Sequence, residues 1–545
     1  MEPRHPPIDL LHFFGPIKVL LVMDGRVYSS HYASFGPGDQ SADPSSGDAY
    51  FGLSEFVRAL TGGPFPRFAV TKTHRDTDVN GAADIEHFTF DSVDLSVYDE
   101  IWLFGVAAPS GTDNPMTDSE LIALTNFMNG GGGVFATGDH ENLGVELNGR
   151  VPRVRSMRKW YYPDPGPLGE PAAPPAIGPT RIETTQREAG ESFTHFDDQS
   201  DDIPQPLTLR WYSIPTSPFT IARYPHPLMC GLKGPIVVAP DHMHEGEVIT
   251  PWDLNATLDF DGQDFVEYPS DGQGRQWPPE IVAWGHVVPE TITSTEGAHI
   301  GDPTDVAIPR TFGVVGAYDG QRVGVGRVVV DSTWHHFFDI NLIGDPIAPF
   351  PKTLGFKWSP TGQAALADIE TYYRNIAYWI ARPRILGLMF PALAWAALTS
   401  QPLNMIVNPT GSYRYDDIVR IGALGLESVH RYLPPCSVVV LLWQYLVEGP
   451  VRVLPPDPWA GPSDHGDPVF VDPTALVQAT LGGAVVALAR ERAEIEGLPA
   501  EEAVRSLRQV AARGVTHGLR ELGTGIGRYG AGLVEIARSW VGETD

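Results

Sequence analysis

Acidic and histidine side chains follow apolar runs at three places in this sequence. Asp139, His140 and Glu141 come directly after "GVFATG". The other two groups follow "PIVVAP" and "GRVVV", and they consist of Asp241, His242, His244, Glu245 and Glu247, and of Asp331, His335 and His336. Imidazole and carboxylate groups together are the ligands that Zn, Fe and Mn take in proteins. The pattern therefore predicts a site for one of these divalent transition metals.

A metal in such a site lowers the pKa of a bound water and makes it a nucleophile near neutral pH, which is the chemistry of a hydrolase. The candidate metal ligands are His140, His242, His244, Glu247, His335 and His336. The candidate catalytic residues are Asp139, His140, Glu141, Asp331 and His335. A metal-free route stays open, in which His140 or His335 acts as general base and a neighbouring carboxylate orients it.

Arginines are concentrated in "NGRVPRVRSMRKWYY", residues 148–162, directly after the first of these groups. Arginine forms bidentate pairs with carboxylate and phosphate groups, so this stretch predicts contact with an anionic part of a substrate. The candidate substrate-binding residues are Arg153, Arg155, Arg158 and Trp334. The alternative is that the arginines form salt bridges with the acidic stretch at 191–202.

Predicted strands must position these groups. The runs "IKVLLVMDG" (17–25), "YDEIWLFG" (98–105) and "GVFATGD" (133–139) are apolar and end at a turn. Helical patterns that begin at N-cap residues and stop at glycines separate them, so the order β–α–β–α–β predicts a parallel sheet with right-handed crossovers. Ligands bind outside the carboxyl ends of such strands. We therefore expect the polar groups, with Asp24 after the first strand, at one edge of the sheet.

The pattern changes near residue 358, where long helical repeats replace the alternation of strands and helices. We predict an α/β fold with an open, mostly parallel sheet flanked by helices and followed by an all-α C-terminal region. The predicted units are an N-terminal arm (1–16), an α/β domain (17–345) with an excursion at 161–205, a helical region (358–452), a Pro-rich linker (453–468) and a C-terminal helical segment (469–545).

Composition excludes several classes of protein. A net charge of −29 over 545 residues argues against nucleic-acid binding and against docking on anionic lipid. The most membrane-like stretch, 385–407, contains Pro391 and a polar end, so we expect a buried helix there. The N-terminus lacks a signal-peptide pattern. We expect a cytoplasmic protein with a small-molecule substrate and without nucleic-acid or membrane partners, and self-association through the helical region stays open.

Several stretches occur in a familiar order. "NGGGGVFATGDH" leads to an elbow, His226–Gly231 leads to the acidic turn Asp241–Glu247, and Gly326–His336 is a strand that ends near a histidine. This order resembles the class I glutamine amidotransferase-like superfamily, in particular its ThuA-like (trehalose-utilisation) branch. The resemblance covers about residues 17–345 and implies that fold with a sugar-like or small polar ligand. The elbow, Gly138–Glu141, lacks the nucleophilic cysteine of the amidotransferases, so thiol-dependent glutamine hydrolysis is excluded.

The sequence thus predicts a metal-assisted hydrolase that acts on a small polar, carbohydrate-like or anionic substrate at the carboxyl edge of the sheet. Two rivals stay open. One is a metal-free acid–base hydrolase. The other is a non-catalytic ligand-binding or assembly protein with the same fold, because an aspartate after a strand often only caps the next helix.

Overall fold

The structure is a computed structural model. It describes residues 16–28, 31–37, 49–62, 67–78, 80–107, 115–139, 143–159, 205–217, 220–240, 246–251, 253–287, 310–344, 352–401, 403–430, 433, 438 and 473–541. Of the predicted site residues, His140, Glu141, His242 and His244 lie outside these ranges. The Pro-rich linker and nearly all of the excursion lie outside them as well.

Short strands make up much of the first part of the chain. Up to residue 159 they are β1 (Ile17–Met23), β2 (Arg26–Tyr28), β3 (His31–Ser34), β4 (Ala49–Gly52), β5 (Phe68–His74), β6 (Glu100–Phe104), β7 (Gly133–Thr137) and β8 (Arg158–Lys159). From residue 205 they are β9 (Gln205–Pro206), β10 (Thr208–Leu209), β11 (Trp211–Ser217), β12 (Thr220–Pro225), β13 (Val238–Ala239), β14 (Glu247–Val248), β15 (Thr257–Phe260), β16 (Gln263–Val266), β17 (Glu280–Val287), β18 (Arg310–Tyr318) and β19 (Val328–Asp331).

Helices lie between the strands and dominate after residue 358. They are α1 (Ser54–Thr61), α2 (Asp118–Asn129), α3 (Val145–Asn148), α4 (Asp339–Ile343), α5 (Pro360–Ile380), α6 (Pro383–Thr399), α7 (Leu403–Ile406), α8 (Tyr415–Val429), α9 (Pro473–Glu496) and α10 (Ala500–Val541). Within the described residues, no helix is both long and apolar enough to cross a bilayer.

The central sheet has the strand order β10-β17-β18-β19-β7-β6-β1-β5, and β14 and β8 pair beside β18. The five strands from β5 to β19 are parallel, whereas β18, β17 and β10 continue the sheet in antiparallel pairs. The predicted α/β class, with a mostly parallel sheet and a helical C-terminal region, is confirmed.

Both faces of the parallel strands are buried, which is why these strands are apolar at consecutive positions. In β6, for example, Trp102 and Phe104 belong to one core, and Ile101 and Leu103 belong to a second core on the opposite face. The first core contains α1 and α5 and continues into the C-terminal helices, and the second contains α2. Side chains alternate across a strand, so the sheet is the middle layer between them.

The predicted start of α2 is confirmed in detail. Thr117 accepts a hydrogen bond from the backbone of Glu120, and the Glu120 carboxylate accepts one from the backbone of Thr117, which together form a capping box. The same carboxylate forms a buried ion pair with Arg75, directly after β5. One acidic side chain thus both caps the helix and ties it to the sheet.

The C-terminal helices pack closely because small residues face each other. A Cβ atom at Gly483 of α9 would overlap the backbone of Gly514 of α10, and one at Gly514 would overlap Gly483 in return. The apolar stripe of α10 is buried, including Leu507 and Val515. The stripe is therefore core packing in the described helix.

A histidine buried under α5 makes the fold sensitive to acid. His226 packs edge-on against Trp379, with ring centroids 5.0 Å apart, and its Nδ1 accepts a hydrogen bond from the backbone of Leu228 (3.3 Å). Desolvation lowers the pKa of His226 to about 3 from its ordinary 6.5. Below pH 6.5 the unfolded chain therefore binds a proton at His226, whereas the folded chain does not bind it until about pH 3. The free energy of unfolding falls as the pH decreases through this range.

We expect the free energy of unfolding to fall between pH 7 and pH 4, with about 3 kcal/mol of the loss due to this histidine. His226→Asn keeps an acceptor for the backbone of Leu228 but does not titrate, so its loss should be smaller by that amount. Urea unfolding at both pH values measures the difference. Equal losses in the two proteins would contradict the assignment.

Candidate functional site

The carboxyl ends of the parallel strands lie side by side, because the register aligns Phe104, Thr137 and Asp331 at one level. Asp139 follows β7, and the 3-10 turn Trp334–His336 follows β19. This is the edge at which open α/β sheets bind ligands. We define the strand-end cluster as Asp139, Arg158, Asp331, His335 and His336.

The first half of the cluster is a chain of hydrogen bonds from α5 to a histidine. Tyr372 of α5 donates from its hydroxyl to Asp331 Oδ2 (2.7 Å), and His336 Nδ1 donates to Asp331 Oδ1 (2.7 Å). All three side chains are buried. Burial and the charge of Asp331 raise the pKa of Tyr372 well above its ordinary value, so the hydroxyl keeps its proton and remains a donor. Asp331 therefore fixes the ring of His336, whose Nε2 becomes the nitrogen for proton exchange or metal binding.

The second half pairs a histidine with the end of β7. His335 Nδ1 donates to Asn341 Oδ1 (3.0 Å), and His335 Nε2 lies 3.5 Å from Asp139 Oδ2. The Thr333 hydroxyl donates to the other oxygen of Asp139 (2.6 Å). The contact between His335 and Asp139 becomes an ion pair when the ring carries two protons. The ends of β7 and β19 each therefore supply the carboxylate of one histidine–carboxylate pair.

A buried arginine joins the two halves. Arg158 Nη2 donates to the backbone carbonyls of Asp139 and of Ser332, the latter at 2.7 Å. Desolvation lowers the pKa of Arg158 to about 10, while Asp139 and Asp331 oppose that shift, so the guanidinium is still charged at neutral pH. Residue 246 must be glycine here, because a Cβ atom would overlap this guanidinium. Arg158 thus holds both strand ends and balances the two carboxylates.

A small cavity of about 10 Å³ lies beside His336, with room for about one water molecule. Its wall is mostly apolar, and it includes His336, Tyr372, Ile369, Val315, Met229 and Ile236. His336 and Tyr372 are the residues of this wall that carry polar side chains.

The predicted site residues differ in where the structure places them. Asp139, Asp331, His335 and His336 come together, as the strand-end reasoning predicts. Glu247 lies next to Gly246, which packs against Arg158. Trp334 is buried and stacks on its neighbour His335 with ring centroids 3.9 Å apart. The four candidates outside the described ranges, His140, Glu141, His242 and His244, stay predictions.

The arginines do not act as one group. Arg158 belongs to the strand-end cluster, but the backbone of Arg153 and the side chain of Arg155 both contact the buried carboxylate of Glu267. The guanidinium of Arg153 donates to Asn129 (2.7 Å), which precedes β7 and so lies toward the opposite edge of the sheet. In the described part of the chain, Arg153 and Arg155 therefore contact Glu267 and Asn129, and substrate contact by these two arginines stays a prediction.

The metal prediction gains no direct support from the described residues, in which no group of three His, Cys, Asp or Glu side chains is arranged to hold a metal ion. His336 nevertheless has the feature of a metal ligand, since a carboxylate holds its other ring nitrogen.

Three members of the hydrogen-bond network, namely Tyr372, Asn341 and Thr333, were not among the sequence candidates. Tyr372 lies in the helical run "IETYYRNIAYWI", where an aromatic residue reads as core, and Asn341 lies on the short helix α4. The one available signal is the hydroxyl of Tyr372, because a buried tyrosine hydroxyl needs a hydrogen-bond partner.

Comparison with known proteins adds no identification. No protein-family model matches the chain, and no curated protein is significantly similar to it.

Proposed function

We propose that this protein is a hydrolase that acts on a small polar substrate, with the strand-end cluster as its active site. The observation that carries the proposal is the hydrogen bond from His336 Nδ1 to Asp331, which Tyr372 supports from α5. A carboxylate that fixes one ring nitrogen leaves the other in a defined direction, as general base catalysis requires.

His335 and Asp139 provide the second acid–base pair. The pair is bound to the first through Arg158 and through Thr333, whose hydroxyl donates to Asp139 and whose backbone donates to Asp331 (3.3 Å). One of these two histidine–carboxylate pairs can accept a proton from water, while the other, already protonated, donates its own proton to the leaving group; proton exchange with solvent then restores both pairs.

We also propose the metal-assisted form of this reaction, because His336 is held as a metal-bound histidine is held. His336 would be one ligand, and the candidates His140, His242 and His244 would supply others. A bound Zn, Fe or Mn ion would supply a water of lowered pKa. Our proposal for the fold of residues 17–345 is the amidotransferase-like architecture of the ThuA-like branch, and its support is the parallel sheet with a polar elbow after β7.

A substrate screen tests the function. Purified protein is assayed on chromogenic esters, phosphate esters and glycosides, before and after treatment with a chelator, and its metal content is measured. We expect turnover of at least one class. Activity that is lost on chelation and restored by one metal supports the metal-assisted form, and activity that survives supports the metal-free form. Absence of turnover in every class, with and without added metal, would contradict the proposal and favour the non-catalytic rival.

A further inference from the structure

A buried aspartate at the same edge of the sheet has one oxygen atom that no hydrogen bond uses. Asp24 follows β1, and its Oδ1 accepts hydrogen bonds from the backbone of Val106 (2.6 Å) and of Ala107 (3.1 Å), which follow β6. Its Oδ2 is buried and has no hydrogen-bond partner among the residues that the structure describes. Asp24 is 5% exposed. The carboxyl group is thus fixed at one oxygen and unpaired at the other.

A buried carboxylate oxygen without a hydrogen-bond partner lowers the free energy of unfolding. Such an oxygen in a natural protein therefore indicates a functional role for the side chain. Burial raises the pKa of Asp24 to about 6, and the two backbone donors and the charge of Arg75 only partly offset that effect. The carboxyl group therefore changes its protonation near neutral pH, as acid–base residues in active sites do.

A second buried oxygen without a hydrogen-bond partner among the described residues lies on a side chain that contacts the same backbone segment. Asn148 of α3 donates from Nδ2 to the carbonyl of Thr137 (2.8 Å), and its buried Oδ1 is the unpaired atom. Gly105 lies against this amide so closely that a Cβ atom there would clash with it. The segment 105–107 thus contacts two buried side chains, one from the end of β1 and one from the helix after β7.

We infer that Asp24 is a ligand-binding residue of the strand-edge site, whose free oxygen takes a hydrogen-bond donor of the ligand. The inference rests on the proposed function. The unpaired Oδ2 of Asp24 is an acceptor, so the complementary ligand group is a hydroxyl or an ammonium group. A carboxylate or phosphate at this position would face the Asp24 charge.

The variant Asp24→Asn separates a binding role from a structural one. The amide oxygen can still accept from Val106 and Ala107, while the free carboxylate oxygen becomes an amide nitrogen and the buried charge is removed. We expect the melting temperature to rise by roughly 5 °C at pH 7. The rise should be smaller at pH 5, where wild-type Asp24 is already protonated. With a substrate from the screen, kcat/KM should fall by about 100-fold or more.

Asp339→Asn is the matched control for stability. Asp339 is also buried, and burial also raises its pKa. Its two oxygens are satisfied, because Oδ2 accepts from the Ser54 hydroxyl (2.6 Å) and Oδ1 from the backbone of Glu55 (2.8 Å). Its amide variant loses an acceptor, so we expect a lower melting temperature.

The inference is overturned if Asp24→Asn lowers the melting temperature as Asp339→Asn does. It is also overturned if Asp24→Asn keeps the wild-type kcat/KM, because the oxygen would then contact only a water. If the wild-type protein shows no hydrolysis, the proposed function is wrong, but the binding role of Asp24 is still testable. The melting temperature is then measured in the presence of glucose and of methylammonium. A stabilisation of the wild type that Asp24→Asn loses supports it, and no such difference with either probe contradicts it.

Discussion

Replacement of His336 by asparagine should lower kcat/KM by about 1,000-fold while leaving the protein folded. The asparagine amide can still donate to Asp331, as His336 Nδ1 does at 2.7 Å, so the hydrogen bonds that Asp331 accepts from Tyr372 and Thr333 are retained. What disappears is Nε2, the nitrogen that would accept a proton or bind a metal. Steady-state kinetics on the substrate found in the screen, with a melting curve for each variant, measures both effects.

Two further variants make this result specific. His336→Gln places an amide nearer to the position of Nε2 but loses the bond to Asp331, so we expect it to be inactive and less stable. His87→Asn is the control, because His87 is exposed and has a positive φ of 51°, which asparagine tolerates. A His336→Asn protein with more than about a tenth of wild-type kcat/KM would exclude general base catalysis by this residue.

Part of this cluster could be predicted from the sequence because strand ends leave a local signal. An apolar run that stops at an aspartate or histidine is recognisable without knowledge of the fold, and the parallel order places such ends at one edge. Asp139, Asp331, His335 and His336 were found in that way. The capping box of Thr117 and Glu120 is local in the same sense, since both partners lie within one turn of helix.

The remaining partners could not be predicted because each depends on a contact between distant parts of the chain. Tyr372 lies 41 residues after the carboxylate that it contacts, on a helix whose apolar pattern only indicates burial. The four nearby arginines give one pattern in the sequence, yet Arg150 pairs with Asp118, Arg155 pairs with Glu267, and Arg158 binds two carbonyls. Only the tertiary packing decides which arginine is drawn to which carboxylate or carbonyl.

The largest expected effect on stability comes from Arg158, the arginine of the strand-end cluster. Arg158→Ala should lower the free energy of unfolding by about 3 to 5 kcal/mol, the cost of breaking a buried charged contact from one side. The variant leaves the carbonyls of Asp139 and Ser332 without this donor, and it removes the positive charge that lies near Asp139 and Asp331. Urea unfolding at pH 7 measures the loss.

Arg513→Ala is the matched control, since Arg513 is 58% exposed and pairs with Glu491 on the surface, where an ion pair contributes less than about 1 kcal/mol. A local measurement separates loosening of the cluster from general destabilisation. The backbone of Trp334 donates to the carbonyl of Gly138 (2.9 Å) and so bridges the ends of β19 and β7. In Arg158→Ala, the rate at which the Trp334 amide exchanges with solvent should increase more than the rates of the amides in the middle of β7. If Arg158→Ala costs no more than Arg513→Ala, or if all of these amides speed up equally, Arg158 does not hold the two strand ends together.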